Sequence, residues 1–222
     1  MIVTGTAWAR QNQSLGRAST VIPGDTARTN GAASVGDMLE GEPGVSVQKT
    51  GRYGASPFIR GFTSYQTLIL IDGIRYNNAA FRSGPNQYSG LLDPFAMERL
   101  EVVYGPGSVL YGSDAIGGTM SLVSARWSPD DAKHGPYWGR IYSRAGTGDY
   151  GWVSNYQGRF TFSDSSGMVF NATSSFFGNL RAGDGVKPYT DHTKIDAHLR
   201  FTTSLSETTT LDFIGQYTFL SN

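Results

Sequence analysis

The sequence of 222 residues contains no cysteine and few charged residues. Without cysteine, a disulfide framework, a thiolate metal site and a cysteine nucleophile are all excluded. Lys plus Arg equals Asp plus Glu at 18 each, which argues against a nucleic-acid partner, because such partners require an excess of positive charge. The longest apolar run is Leu68 to Ile71. It is far shorter than the ~20 residues of a membrane-spanning helix.

Signals of catalysis are missing as well. There is no G-x-S-x-G or H-E-x-x-H motif, and no Gly-Lys-Ser/Thr that would mark a phosphate-binding loop. The histidines are His134, His192 and His198, of which the last two would share one face of a strand about 20 Å apart. We therefore expect no catalytic residue, no metal site and no cofactor. A secreted hydrolase would need an acid/base pair that the sequence does not show.

The residues that are abundant favour β-structure. Glycine occurs 29 times, and there are 12 Tyr, 12 Phe and 4 Trp, which suit turns and pleated surfaces. Up to about residue 125 short apolar runs alternate with Gly-rich turns, and this mixture predicts a small α+β domain. The predicted elements are a helix over 34–40, strands over 45–48, 57–60 and 100–104, a hairpin over 67–76 with an Asp72-Gly73 turn, and a helical turn over 94–98.

The second half predicts five long strands, near 137–147, 150–163, 167–181, 192–205 and 208–220. In the second of them Trp152, Tyr156 and Phe160 alternate with Asn155 and Gln157. Alternation over ~10–14 residues is typical of the wall of an outer-membrane barrel. A soluble β-sandwich also alternates, and it stays open as an alternative. Five strands are fewer than the eight or so that close a barrel, and Met1-Ile2-Val3 does not begin a signal peptide, so we expect a fragment.

Three segments of the first half resemble TonB-dependent outer-membrane receptors, which import siderophores, haem, cobalamin and similar cargo. Residues 35–47 are similar to the family's plug helix and "PGV" strand. Residues 59–75, with Ile59-Arg60-Gly61 and Asp72-Gly73-Ile74-Arg75, are similar to its "IRG…VLVDGVR" block. Residues 97–118 are similar to its "IERIEVVRGPGSALYGSxAIGG" block. Tyr104 stands where Arg is usual, and 119–124 replaces the usual "VINIITK".

The resemblance implies an α+β plug domain over 1–126 followed over 127–222 by the first antiparallel strands of a transmembrane β-barrel of about 22 strands. It implies a TonB-dependent, ligand-gated importer of a scarce nutrient in the Gram-negative outer membrane, not an enzyme. The implied partners are the TonB–ExbB–ExbD energy-coupling complex, a metal chelate or other nutrient, and outer-membrane lipid. The alternative is a soluble carbohydrate- or protein-binding β-domain without a transport role.

Three sets of residues follow from the resemblance. The N-terminal segment is similar to a TonB box, which would be bound by strand addition; the alternative is that it is the first plug strand. It comprises Ile2, Val3, Thr4, Gly5 and Thr6.

Charged residues inside the matched blocks are expected to pair with the barrel wall or with each other and so to take part in gating. They are Arg60, Arg75, Glu98, Arg99 and Glu101. The alternative is that Glu98, Arg99 and Glu101 are ordinary surface charges.

The plug apices over 49–56 and 77–92 are expected to contact the cargo, since aromatic, arginine and amide side chains can bind a large polar ligand. An inert ordered loop is the alternative. The residues are Arg52, Tyr53, Asn77, Asn78, Phe81, Arg82, Asn86, Gln87 and Tyr88.

Overall fold

A computed structural model describes residues 17–49, 51, 53–76, 84–85, 88–148 and 150–221. The chain divides into two compact units, Met1–Ser124 and Ala125–Asn222. Within the described residues, no helix has both the length and the apolar character needed to cross a membrane.

The first unit is built on a mixed five-stranded sheet with short helices and 3₁₀ turns between its strands. Its strands are ordered β1-β6-β7-β4-β5, and β4 and β7 are parallel while the other neighbours are antiparallel. A separate antiparallel pair is formed by β2 and β3. The elements are β1 (Ser19–Pro23), α1 (Thr26–Asn30), α2 (Val35–Met38), β2 (Val45–Lys49), β3 (Ala55–Ile59), β4 (Thr67–Ile71), β5 (Ile74–Arg75), β6 (Met97–Tyr104), α3 (Ser108–Tyr111) and β7 (Gly118–Ser124), with 3₁₀ turns at Ser64–Gln66, Tyr88–Leu91 and Pro94–Ala96.

Local chemistry explains the elements that the sequence predicted in this unit. The Asp37 carboxylate accepts hydrogen bonds from the backbone N–H groups of Ala33 and Ser34 at 2.7 and 2.8 Å, which satisfies donors at the start of α2. Asp72 and Gly73, at φ 49° and 84°, turn β4 into β5, as expected for a two-residue hairpin turn. The pattern did not predict β1, α1 or α3.

The second unit is an antiparallel meander of five long strands in the order β14-β13-β10-β9-β8. A 3₁₀ turn at Pro129–His134 precedes it. A two-stranded hairpin that was not predicted lies between β10 and β13. The strands are β8 (Tyr137–Ala145), β9 (Trp152–Ser163), β10 (Ser166–Phe177), β11 (Arg181–Ala182), β12 (Gly185–Val186), β13 (His192–Ser204) and β14 (Thr210–Ser221).

The predicted fold class, an α+β domain followed by long antiparallel strands, is therefore confirmed. The core of the first unit lies on its sheet, where Leu100 and Val102 of β6 and Met120 and Leu122 of β7 are completely buried. Burial of such side chains contributes about 1.5–3 kcal/mol each before the entropy cost of folding is subtracted. These buried side chains hold β6 and β7 against each other. The charged residues Glu98, Arg99 and Glu101 of the third matched block lie on β6 and are positioned by the same packing.

Candidate functional site

The expected cargo-contact residues lie mostly outside the described residues. Those outside are Arg52, Asn77, Asn78, Phe81, Arg82, Asn86 and Gln87. Tyr53 and Tyr88 are described, and 41% of Tyr88 is exposed. The TonB-box-like residues 2–6 also lie outside the described part of the chain. A role for either set therefore stays a prediction.

The segments that carry Tyr53 and Tyr88 pack closely together. A Cβ added to Gly90 would lie 1.8 Å from the carbonyl oxygen of Tyr53, so only glycine allows this approach. Ser89 Oγ donates a hydrogen bond to the carbonyl oxygen of Ala55 in the same region. The two tyrosines predicted separately are thus held on adjoining pieces of backbone.

Tyr76 is a further residue at this apex, and the sequence reasoning did not single it out. Its hydroxyl donates to the carbonyl oxygen of Tyr88 at 3.2 Å. Burial, and then the neighbouring Tyr88, raises the pKa of the Tyr76 hydroxyl above its ordinary value of 10.0. Tyr76 stays neutral at physiological pH and can act as a hydrogen-bond donor. The sequence could have indicated this role, because Tyr76 ends the predicted hairpin and immediately precedes the apex loop.

The predicted gating residues make contacts within the first unit. The Arg60 guanidinium lies over the Tyr104 ring, 5.5 Å from its centroid. Arg75 Nη1 donates to Asp114 Oδ2 at 2.8 Å, and its Nη2 donates to the carbonyl oxygen of Ser113 at 2.7 Å. These contacts hold the loop after α3 against β5. Whether either arginine takes part in gating stays a prediction.

The acidic residues of the same set differ sharply in burial. Glu98 is exposed and lies 3.3 Å from Arg99 Nη1, whereas the Glu101 side chain is completely buried. The interpretation of Glu101 as an ordinary surface charge is therefore wrong. A buried carboxylate requires partners, and Arg99 Nε supplies one at 2.7 Å.

One face of the second sheet is polar and buried. Asn155 Nδ2 donates to Asn171 Oδ1 and to Thr173 Oγ1, at 2.9 Å in both cases. Lys194 Nζ lies 3.2 Å from Asp196 Oδ2, and both side chains are at most 3% exposed. Asp, Lys and Asn are seldom buried so completely unless they are paired. Here Asn155 pairs with β10 from β9, whereas Lys194 and Asp196 pair with each other along β13.

The opposite face of the same sheet is apolar and exposed. Ile141 is 76% exposed, Tyr217 60%, Phe162 59% and Phe213 58%. This is the reverse of a water-soluble sheet, which buries its apolar face. A β-sandwich would cover these side chains with a second sheet, so the alternative of a soluble sandwich is not favoured.

Two tyrosines on the exposed face satisfy each other's hydroxyl groups. Tyr137 and Tyr156 lie with their hydroxyl oxygens 2.7 Å apart. Gly139 and Gly158 are paired across β8 and β9 beneath them, and a Cβ on either would lie under 3.0 Å from a tyrosine hydroxyl. The pairing satisfies two hydroxyl groups on a face that is mainly apolar.

His192 and His198 were expected to share one face of a strand, and both lie on β13. His192 and His198 are both buried on the polar face, and the His192 ring stacks on Phe177 with centroids 5.0 Å apart. In the part of the chain that the structure describes, no group of three or more His, Asp or Glu side chains is placed to hold a metal ion.

Comparisons with known proteins agree on one family. Residues 11–119 match the model of the TonB-dependent Receptor Plug Domain. The chain is 33% identical to the hemin receptor of Yersinia enterocolitica over 196 aligned residues. This alignment covers 87% of this chain and 28% of that receptor. It is 37% identical to the vitamin B12 transporter BtuB of Vibrio vulnificus over 126 aligned residues. This alignment covers 56% of this chain and 20% of the transporter. The chain thus spans less than a third of these relatives.

A solved structure shows the same fold. The pyoverdine outer membrane receptor FpvA from Pseudomonas aeruginosa superposes with a TM-score of 0.78 at 19% identity, over 98% of this chain and 29% of that receptor. At this identity the likeness concerns the fold alone. It extends over both units, so the order of an α+β unit followed by antiparallel strands is shared with a solved receptor.

Proposed function

Because this chain belongs to the TonB-dependent receptor family, we propose that it is the gate and the first wall strands of an importer in the Gram-negative outer membrane. The cargo would be a scarce nutrient such as haem, cobalamin or an iron-siderophore, in line with the names of its relatives. The relatives are receptors and transporters, and transport is the activity proposed.

One observation carries the proposal: the second sheet buries its polar face and exposes its apolar face. A sheet of this kind is stable where the apolar side meets hydrocarbon and the polar side faces an interior lined by protein or water. Aromatic contacts extend across the apolar face, with Tyr137 and Phe160 5.0 Å apart and Phe201 and Phe213 6.4 Å apart between centroids. We therefore assign that face to lipid.

The first unit has the properties expected of a gate. Several of its charged side chains are paired in partly exposed contacts, such as Arg75 with Asp114 and Lys49 with Glu40. Partly exposed ion pairs contribute only about 0–1 kcal/mol each. They can exchange partners at low cost, and such an exchange allows a path to open without exposing the apolar core between β6 and β7.

The apices would form part of the cargo site. Tyr53, Tyr76 and Tyr88 are held together there, and Arg52 and Arg82 are assigned to the same apices from the sequence. Aromatic rings and guanidinium groups suit the flat or anionic surfaces of haem and metal chelates. The energy would come from the TonB–ExbB–ExbD complex through the N-terminal segment.

The proposal is tested with the full-length gene in a Gram-negative host that lacks its own receptors. Haemin, cyanocobalamin and a ferric siderophore are supplied in parallel, and one of them should support growth. Deleting residues 1–7 should abolish this growth while leaving the amount of receptor in the outer membrane unchanged. Uptake that persists after the deletion, or in a host without TonB, would count against energy coupling.

Fractionation supplies an independent check. The receptor should be found in the outer-membrane fraction and should need detergent for release, because the exposed face of the second sheet is apolar. A protein released into the periplasm or medium without detergent would instead support a binding module without a transport role.

A further inference from the structure

Three tyrosines from separate parts of the first unit are brought together at the predicted apices. Tyr53 precedes β3, Tyr76 follows β5, and Tyr88 begins a 3₁₀ turn. The Tyr76 hydroxyl donates to the carbonyl oxygen of Tyr88 at 3.2 Å, across 12 positions of sequence. The acceptor belongs to the backbone and not to the ring. Tyr76 therefore holds the main chain that carries the Tyr88 ring.

Tyr76 is itself held by the main sheet of the unit. Its N–H donates to the carbonyl oxygen of Ile69 on β4 at 2.9 Å, and Ile69 is 4% exposed. Burial raises the pKa of the Tyr76 hydroxyl above its ordinary value of 10.0. The hydroxyl therefore remains protonated, and it stays a hydrogen-bond donor at physiological pH. Through Tyr76 the backbone of Tyr88 is linked to a buried strand.

The 3₁₀ turn that Tyr88 begins also contacts the other apex. Ser89 Oγ donates to the carbonyl oxygen of Ala55, the first residue of β3. Both residues are buried, Ala55 completely and Ser89 with 1% exposed. A Cβ added to Gly90 would lie 1.8 Å from the carbonyl oxygen of Tyr53. The two apices are therefore joined at their bases by a buried hydrogen bond and by a backbone approach that requires glycine.

Helix α2 packs against the same base. A Cβ added to Gly36 would lie 2.4 Å from the Cβ of Ala55, so α2 meets β3 with no side chain of its own at that point. In contrast to this buried base, 41% of Tyr88 is exposed. The tyrosine is thus presented from a fixed backbone. Because a tyrosine has only two side-chain torsions, a fixed backbone lowers the entropy cost of binding a ligand with it.

Two independent loops would behave differently from one assembled surface. Independent loops become ordered one at a time as the ligand binds, and each ordering step carries its own entropy cost. In an assembled surface most of that cost is met when the unit folds. Removing one contact then affects both apices, because Ser89 and Gly90 connect them.

From these contacts we infer that the two apices form one cargo-binding surface that is assembled before the cargo arrives, with Tyr76 as its positioning residue. This inference rests on the proposed transport function and adds a residue that sets the affinity for cargo. Tyr76 acts through the backbone of Tyr88 and not through its own contact with cargo. Its hydroxyl therefore controls how tightly cargo is bound, and not how fast bound cargo is transported.

Equilibrium binding to the purified full-length receptor in detergent tests this inference. Haemin, cyanocobalamin and ferric enterobactin are titrated in parallel against the parent and against Tyr76→Phe, which removes only the hydroxyl. We expect the Kd of the compound that binds to rise about fivefold, as the loss of one hydrogen bond worth about 1 kcal/mol predicts. Tyr65→Phe is the matched control, because Tyr65 is 43% exposed on the 3₁₀ turn at Ser64–Gln66, and it should leave the Kd unchanged.

Uptake by cells separates affinity from transport rate. At saturating cargo and equal amounts of receptor, uptake through Tyr76→Phe should differ from the parent less than about twofold. The cargo concentration for half-maximal uptake should rise about fivefold, in step with the Kd. An unchanged Kd, or a fall in saturating uptake as large as the rise in Kd, overturns the inference.

A glycine variant perturbs the contact between the apices at a different point. Gly90→Ala forces the turn away from the carbonyl oxygen of Tyr53 and should raise the Kd at least about tenfold. Gly148→Ala is the control, because no described atom lies within 4 Å of its added Cβ. Normal binding by a folded Gly90→Ala receptor overturns the statement that the two apices are joined at their bases.

A receptor that binds none of the three compounds would indicate that the proposed function has failed, and amide exchange then tests the assembled base by itself. Exchange over 53–55 and over 88–92 should both become about fivefold faster in Tyr76→Phe. Neither segment should change in Tyr65→Phe. Faster exchange over 88–92 alone, or over neither segment, overturns the inference.

Discussion

The carboxylate of Glu101 is completely buried, and it accepts a hydrogen bond from Nε of Arg99 at 2.7 Å although both residues lie on β6. The charge of Glu101 also reaches Tyr111. Burial, and then this charge, raises the pKa of the Tyr111 hydroxyl above 10.0. Glu101 therefore lies inside the first unit, and Arg99 is one of the groups that make its burial possible.

Replacing Arg99 by Met should destabilise the first unit by about 3 kcal/mol, because it leaves a buried carboxylate with one charged partner fewer. The double variant Arg99→Met with Glu101→Gln should recover at least half of this loss, since the buried charge is then gone. Urea unfolding of the purified receptor measures both. Equal stabilities of the single and double variants would show that the pair is not energetically coupled.

Arg75 should control the order of the loop after α3. It bonds Asp114, Ser113 and the carbonyl oxygen of Tyr111 at once, and Asp114 has a φ of +75°. A lysine cannot reproduce this planar set of donors. We expect Arg75→Lys to speed amide exchange over 111–116 about tenfold, equivalent to about 1.4 kcal/mol. Arg181→Lys, in the second unit, is the control and should leave this loop unchanged.

Gly167→Ala should destabilise the packing of the buried Trp127 side chain on β10. The added methyl group would overlap the Trp127 indole, and overpacking of this kind costs about 1–3 kcal/mol. Gly183→Ala is the matched control, because no described atom lies within 4 Å of its added Cβ. Tryptophan fluorescence and urea unfolding give the measurement. Identical midpoints for the two variants would contradict the packing of Trp127 on β10.

Stability should depend on pH through Lys49. Burial alone lowers the pKa of Lys49, but hydrogen bonds and charge interactions with Asp37 and Glu40 outweigh it and raise the pKa above 10.5. A raised pKa means that the stabilisation is fully present below about 10.5 and is lost as the pH rises through the folded-state pKa.

Lys49→Met should therefore cost less than about 1 kcal/mol at pH 8, and the difference from the parent should be smaller at about pH 11. Lys187→Met removes an exposed pair with Asp184 and is the control, with little effect at either pH. Thermal unfolding at the two pH values measures this. A difference that grows with pH would have the wrong sign.

The sequence by itself determined the features that depend on local pattern. The alternation of Trp152, Tyr156 and Phe160 with Asn155 and Gln157 predicted the two faces of β9, because side chains on a strand point alternately to opposite sides. Asp-Gly chemistry predicted the turn between β4 and β5. The three blocks of residues 35–118 identified the family, and the comparisons agree.

Tertiary structure alone decided which residues meet across long stretches of chain. Asp72 was predicted as a turn residue, yet it also holds Ser124, 52 positions away. The sequence around Trp127 did not indicate the glycine on which the indole lies, and it left open whether Glu101 pairs with another group or is an ordinary surface charge. The structure buries Glu101 on β6, between β1 and β7. The local pattern of apolar and polar residues predicts whether a segment is a strand and which of its faces is apolar, but not which strand it pairs with. Pairing between strands that are far apart in sequence depends on how all the strands pack around one core.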